Sequence, residues 1–153
     1  MKREVRVNPG FCLNGGRQRA LVQDLLSRFQ ICELAKSDEL YAQQLLKLYS
    51  TDRSWKYEPG RIVLDALERF NYHIVLVIPK DQPDKVAGSV RAVFLPRSNL
   101  VYGSCLIINP EFRSENLSLP LIYAAMSVVD EDSKQPAKAD PAKIAAHGIK
   151  ISM

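Results

Sequence analysis

The stretch LIINPEFRSENLSLPLIYAA, residues 106–125, constrains the fold of this chain more than any other segment. Its apolar start is typical of a strand, and Pro110 ends that strand because proline has no N–H for a sheet ladder. Its apolar end is typical of a helix, and Pro120 is tolerated only in the first turn, which places the helix start close to Ser118. The polar elbow between them, residues 109–118, either holds a phosphate group on main-chain amides or only turns the chain.

The spacing of apolar residues predicts the other helices and strands. The run HIVLVI, residues 73–78, is continuously apolar, as in a central strand covered on both faces. The segments over 85–95 and 100–108 flank a short PRSN link and predict an antiparallel hairpin. The remaining predicted elements are a short strand over 4–7, a half-buried strand over 29–34, and helices over 17–29, 38–49, 59–70 and 117–129.

This order of helices and strands predicts a mixed α/β (α+β) domain with a central, mostly antiparallel sheet flanked by helices. The chain has 153 residues, which is enough for one globular domain with an apolar core. We divide it into an N-terminal extension over 1–28 with an amphipathic helix, a core over 29–129, and a polar C-terminal tail over 130–153.

The charge of the chain indicates the kind of ligand it suits. A net charge of +4 and a pI near 9.0 favour an anionic ligand such as a nucleotide or a coenzyme. The basic residues do not form the concentrated stripe of a dedicated nucleic-acid binder, so nucleic acid is the weaker hypothesis. That hypothesis would depend on basic residues near the N-terminus, namely Lys2, Arg3, Arg6, Arg17 and Arg19.

The cysteines and histidines are too few and too scattered for a metal site. The three cysteines (Cys12, Cys32 and Cys105) and two histidines (His73 and His147) show no metal-ligand spacing, so no metal is predicted. An odd number of cysteines without a secretory signal predicts reduced thiols in a cytoplasmic protein. No apolar run reaches membrane-spanning length, so no membrane partner is expected.

Two stretches resemble a known family. In the elbow an aliphatic residue, a proline, an aromatic residue and an arginine follow one another as Ile108, Pro110, Phe112 and Arg113. The stretch DKVAGSVRAVFL alternates apolar positions around a glycine. Together they resemble the coenzyme motif and the third strand of the Gcn5-related N-acetyltransferase (GNAT) superfamily. That motif reads strand-x-Pro-x-aromatic-Arg-x-x-Gly-x-Gly/Ala and then helix, and the similarity covers roughly residues 29–129.

The resemblance implies the fold and activity of an acyl-CoA N-acyltransferase, most simply an N-acetyltransferase. Acetyl-CoA or another acyl-CoA would be the co-substrate, a small-molecule or peptide amine would be the acceptor, and no metal would be required. In the family, the elbow wraps the pyrophosphate of the coenzyme and the preceding strand pairs with its pantetheine amides. The coenzyme-binding residues so implied are Ile107, Ile108, Arg113, Ser114, Asn116, Leu117 and Ser118.

The catalytic and acceptor-binding candidates lie before the elbow. Acyl transfer to an amine needs a group that takes up a proton, and Tyr102 is the candidate catalytic residue, with a hydrogen-bonded sheet tyrosine as the alternative. Cys105 is a weaker candidate for a nucleophile because no His or Asp lies near it in sequence. Trp55 and Tyr57 are the candidate acceptor-binding residues, unless they fold back on the core.

The sequence also departs from the family pattern. Asn116 and Ser118 stand where the family usually has Gly and Gly or Ala, and Glu115 brings a negative charge to the phosphate loop. No tyrosine follows Tyr123, and the tail over 130–153 is too polar to supply the family's last strands in full. The alternative is a catalytically inactive GNAT-like module that dimerises or pairs with a partner chain, which completes its sheet.

Overall fold

The five described strands join one antiparallel sheet in chain order, and helices flank the sheet. The computed structural model describes residues 3–7, 16–35, 37–51, 67, 72–95, 98 and 100–134. The strands are β1 (Arg3–Glu4), β2 (Phe29–Glu33), β3 (Tyr72–Pro79), β4 (Gly88–Leu95) and β5 (Leu100–Ile108). The helices are α1 (Gly16–Arg28), α2 (Glu39–Thr51) and α3 (Ser118–Ser133), with a 3-10 helix over Pro110–Glu115 before α3. The predicted fold class, mixed α/β with a mostly antiparallel sheet, is confirmed.

The predicted and observed elements differ mainly at their ends. Phe29 belongs to β2 and not to α1, because its backbone pairs with the end of β3. Strand β4 begins at Gly88 and not at Lys85, whose amide closes a turn instead. The predicted helix over 59–70 lies almost wholly outside the described residues. Within the described part of the chain, no helix has the length and apolar character needed to span a bilayer.

Strand β3 is buried on both faces, as its continuous apolar run predicts. On one face Val75 packs with α1 and α3, where Leu25 and Leu121 are almost completely buried. On the other face Ile74 packs with Leu45 of α2. A fully buried leucine contributes about 1.5 to 3 kcal/mol to folding, so α1 of the N-terminal extension helps to stabilise the same core as α3.

Gly88 sets the distance between α3 and the sheet. A Cβ at this position would lie 2.8 Å from Cδ1 of Ile108, 3.1 Å from the main-chain oxygen of Ile107 and 3.2 Å from Cδ1 of Leu121, so these groups would have to move to admit a side chain. A Cβ at Gly103 of β5, in contrast, would meet no atom within 4 Å. Glycine at position 88 therefore allows the first turn of α3 to pack directly on the end of β5.

The C-terminal end of α3 is fastened to the sheet through His73. This residue of β3 places Nδ1 against Oε1 of Glu33 on β2, and Nε2 against Oδ2 of Asp132 on α3. The contact explains why α3 continues to Ser133 instead of ending at the predicted Val129: its last turn has a partner on the sheet. An imidazolium donates from both ring nitrogens, so the two carboxylates favour the protonated form.

The His73 contacts give the fold a specific pH dependence. Burial by itself lowers the pKa of His73, but hydrogen bonds to Asp132 and Glu33 and the charges of these carboxylates raise the pKa from 6.5 to about 9. Because the folded pKa exceeds the unfolded one, the stabilisation is complete below about pH 6.5 and is lost as the pH rises through about 9.

We expect this loss to be about 2 to 3 kcal/mol in the free energy of unfolding. Urea denaturation at intervals from pH 6 to 9.5 measures it, and His73→Gln should remove that part of the pH dependence. A pH profile that is the same in wild type and His73→Gln would contradict the assignment.

Candidate functional site

The site is built on the passage from β5 through the elbow into α3. Asn109 fixes its start, because its N–H donates to the carbonyl of Ala87 at 2.9 Å and its Nδ2 donates to the carbonyl of Val86 at 3.1 Å. Its Oδ1 accepts from the N–H of Glu111 at 3.1 Å and so caps the 3-10 helix. The elbow therefore leaves the sheet at a defined point and in a defined direction.

A bulge distorts β5 shortly before the elbow. The register moves from Ser89 opposite Ile107 to Arg91 opposite Ser104, so β5 has one residue more than β4 in this interval. Cys105 lies in the bulge with a φ of 51°, a left-handed conformation that L-residues other than Asn and Asp adopt at some cost. Such bulges bend a strand and increase its twist, and they are common beside active sites.

The end of β5 presents main-chain groups at the outer edge of the described sheet. Because Asn109 donates to Ala87, the residue before β4, and Ile108 lies opposite Gly88, the alternation of an antiparallel ladder turns the N–H and C=O of Ile108 away from β4. The same alternation turns those of Ile107 toward β4, and the Ile107 side chain is buried on the α2 face. Of the two predicted coenzyme-binding residues, Ile108 is the one placed to pair with an extended ligand.

The elbow reaches α3 through a left-handed residue. Asn116 has φ 57° and ψ 36°, at the position where the family pattern has glycine. Asparagine is the residue that replaces glycine there at least cost. Leu117 follows and is 1% exposed, which anchors the helix start in the core.

Two amides at the start of α3 point to an anion site. Among the described residues, no side chain caps this helix, and the N–H groups of Leu117 and Ser118 donate to no other residue. The first N–H groups of a helix have no partner within the helix and normally find an acceptor elsewhere in the protein, in water or in a ligand. The N-terminus of this 16-residue helix also carries the positive end of its dipole.

The remaining elbow residues divide into anchors and exposed groups. Phe112 packs edge to face on Phe29, with ring centroids 6.1 Å apart. The side chains of Arg113 and Ser114 are exposed, and Arg113 forms no ion pair with any other residue that the structure describes. Glu115 is neutralised by a 2.6 Å hydrogen bond from Nη1 of Arg28. Arg113 is thus available to an anion, whereas the charge of Glu115 already has a partner.

Tyr102 lies on β5 opposite Val93, half-buried, before the bulge. Because opposite residues share a face and Val93 belongs to the core around α2, Tyr102 lies on the α2 face of the sheet. Trp55 and Tyr57, the predicted acceptor-binding residues, lie outside the described residues. Their roles stay predictions.

On the same face of the sheet as Tyr102, the structure brings together buried polar residues that the sequence did not single out. Arg91 of β4 is 5% exposed and donates from Nη1 to the hydroxyl of Tyr72 at 3.0 Å. Its guanidinium carbon lies 5.7 Å from the centroid of the Tyr49 ring. Burial raises the pKa of Tyr49, and the nearby Cys105 adds to this effect. The sequence does contain a signal for this buried polar group, namely an arginine inside the apolar stretch AGSVRAVFL.

The described residues contain no group of three or more His, Cys, Asp or Glu side chains that could hold a metal ion. The polar groups that the described part of the site offers are main-chain amides, an exposed arginine and buried tyrosines. These groups suit an extended anionic ligand, because amides and arginine both donate to phosphate oxygens.

The antiparallel sheet, the bulged strand β5 and the elbow that leads into α3 form a fold that is similar to those of solved acetyltransferase structures. The fold resembles an aminoglycoside acetyltransferase from an uncultured soil metagenomic sample, solved in complex with sisomicin, at a TM-score of 0.57 and 14% identity. This match covers 84% of this chain and 92% of that chain. The predicted GNAT-like fold is confirmed, and at this identity the likeness establishes the fold alone.

Two further solved structures are similar. The glucosamine N-acetyltransferase region of a fungal multi-domain β-N-acetylglucosaminidase matches 65% of this chain at a TM-score of 0.51 and 16% identity, and the match spans 12% of that longer chain. An acetyltransferase of Trypanosoma brucei has a TM-score of 0.49 and 18% identity over 72% of this chain and 78% of that one. No protein-family model matches the sequence, and a search of curated proteins finds no match either.

The left-handed conformation of Asn116 leads to a direct test. Asn116→Gly should change the free energy of unfolding by less than about 0.5 kcal/mol, because glycine adopts this conformation freely. Asn116→Val should lower it by about 1 to 2 kcal/mol, because a β-branched residue is strained there. Urea denaturation at pH 7 compares the two variants with the wild type. Equal losses in both variants would show that the side chain of Asn116 matters and its backbone conformation does not.

Proposed function

We propose that this protein is an acyl-CoA-dependent N-acyltransferase that transfers an acyl group, most simply acetyl, from coenzyme A to an amine. The observation that carries the proposal is the pair of amides at Leu117 and Ser118, which begin α3 directly after a left-handed residue. A GNAT fold with such an elbow supports binding of the coenzyme diphosphate at this position.

The residues of the elbow fit a diphosphate group. The amides of Leu117 and Ser118 would donate to its oxygens, and the dipole of α3 would favour its negative charge. Arg113 would add a charge-assisted hydrogen bond from its exposed guanidinium. Ser114 and Ser118 carry hydroxyl groups next to these donors. The outward N–H and C=O of Ile108 would pair with the amides of the pantetheine arm, as a neighbouring strand would.

In the proposed reaction, the nitrogen of the acceptor amine attacks the thioester carbonyl carbon. A C–N bond forms, the C–S bond breaks, the sulfur leaves as the coenzyme thiol, and the amine loses one proton. Tyr102 is the candidate for transfer of that proton, directly or through water. The acceptor is an amine on a small molecule or a peptide, with Trp55 and Tyr57 as its candidate contacts.

Isothermal titration tests the coenzyme site. Acetyl-CoA should bind the wild type with a Kd between about 1 µM and 1 mM, the usual range for enzyme substrates. Arg113→Met should weaken binding by about tenfold, the effect of one charge-assisted contact. Lys134→Met is the matched control, because it removes an exposed cation at the far end of α3 and should leave binding unchanged. No heat with millimolar acetyl-CoA and folded protein would overturn the proposal.

The second candidate is a non-catalytic assembly module, and one feature of the sheet favours it. β5 is the last strand of the described sheet, and Leu100, Val101 and Leu106 on it are 57%, 53% and 43% exposed. An unpaired apolar edge is prone to pair with another strand. A second copy of this chain is the simplest occupant, because an antiparallel edge pairs with its own copy across a two-fold axis.

Light scattering at several protein concentrations separates the two candidates. A module of this kind would be a dimer in solution, and Val101→Lys would make it monomeric, because an edge lysine opposes strand pairing. Leu40→Lys is the matched control, since Leu40 is an equally exposed leucine on α2, 54% exposed, away from this edge. A monomeric wild type would remove the β5-paired dimer.

A further inference from the structure

Arg28, the last residue of α1, lies where the N-terminal extension meets the elbow. Its Nη1 donates to Oε2 of Glu115 at 2.6 Å, and its Nη2 donates to Oδ2 of Asp24 at 3.0 Å. Its guanidinium carbon lies 5.4 Å from the centroid of the Phe29 ring, which is within cation–π range. Phe29 in turn packs on Phe112 of the elbow. Two carboxylates and an aromatic ring therefore hold the guanidinium in one place.

This ion pair contributes little to the stability of the fold. The side chains of Arg28 and Glu115 are 45% and 35% exposed, and exposed ion pairs contribute little to folding because water and salt screen them. The elbow has other anchors, namely the Phe112 ring, the buried Leu117 and the Asn109 cap. Loss of the ion pair alone should therefore leave the elbow in place.

The role of the ion pair follows from the position of Glu115. It lies three residues before Ser118, so their Cα atoms are at most about 11 Å apart. An unpaired Glu115 carboxylate would be a like charge close to a diphosphate bound at the amides of Leu117 and Ser118, and salt with a Debye length of about 8 Å would screen their repulsion only in part. The paired carboxylate would repel it far less.

We infer that Arg28 is a positioning residue of the coenzyme site: it neutralises Glu115 and so makes the elbow able to accept a diphosphate. This role depends on the proposed coenzyme binding. It also assigns a function to α1, which lies before the segment that resembles the GNAT family. Arg28, which lies outside the family motif, then compensates for the negative charge that Glu115 brings to the elbow.

A double-mutant cycle followed by titration with acetyl-CoA tests this role. Arg28→Met should weaken binding by about five- to tenfold, the effect of one unpaired charge near a divalent anion. Glu115→Gln should bind as tightly as the wild type or up to about fivefold more tightly, because Arg28 can then face the ligand. The double variant should return to within about twofold of the wild type.

A purely structural ion pair predicts a different pattern. Arg28→Met and Glu115→Gln would then weaken binding to the same extent, and the double variant would not recover. S-Acetylpantetheine, which lacks the diphosphate, is a second probe: its affinity should be the same in wild type and Arg28→Met. The difference between these two proteins toward acetyl-CoA should also shrink in 0.5 M NaCl, where the Debye length falls to about 4 Å.

Control measurements separate the outcomes. Lys134→Met, which also breaks an exposed ion pair of α3, should bind acetyl-CoA like the wild type. Thermal melting establishes that each variant is folded. Wild-type binding without recovery in the double variant, or an equal loss for S-acetylpantetheine, overturns the role of Arg28 alone. Absence of wild-type binding to acetyl-CoA overturns the proposed function and this role together.

Discussion

The packing of α3 against the sheet is the constraint on which the rest of the structure depends. Gly88 lets Leu121 approach the end of β5, and Leu117 is buried one turn earlier. These contacts fix where the helix begins, and Asn109 fixes where the strand ends. The chain between these two fixed points has few conformations available, and it reaches α3 with Asn116 in the left-handed conformation. The N–H groups of Leu117 and Ser118, which have no acceptor among the described residues, are a consequence of this geometry.

Much of the fold could be predicted from local patterns in the sequence. The predictions of a central strand at β3 and of a hairpin formed by β4 and β5 were correct, because burial on one or two faces determines such patterns directly. The predicted end of α3 at Val129 was wrong. The last turn after Val129 is polar, and a contact with His73 of β3 holds it in place. A contact between residues 59 positions apart leaves no trace in the periodicity of either segment.

In the candidate site, too, the local features could be predicted from the sequence and the long-range contacts could not. The elbow and its left-handed position were visible because proline, asparagine and a helix start act locally. The partner of Glu115 was not, because Arg28 is 87 positions away in sequence and the two meet only after α1 has packed on the sheet. The bulge at Cys105 also escaped prediction, since it is a mismatch of register between two strands, and neither strand shows it alone.

α1 precedes the region that looks like an acyltransferase, yet Leu25 shares a core with Leu117. A shortened protein that starts at Phe29, where the resemblance to the family begins, would expose the apolar surface that α1 covers beside the elbow. Such a fragment would tend to aggregate, because the apolar surface would be in contact with water. Anyone trimming this protein for expression should therefore keep its first helix.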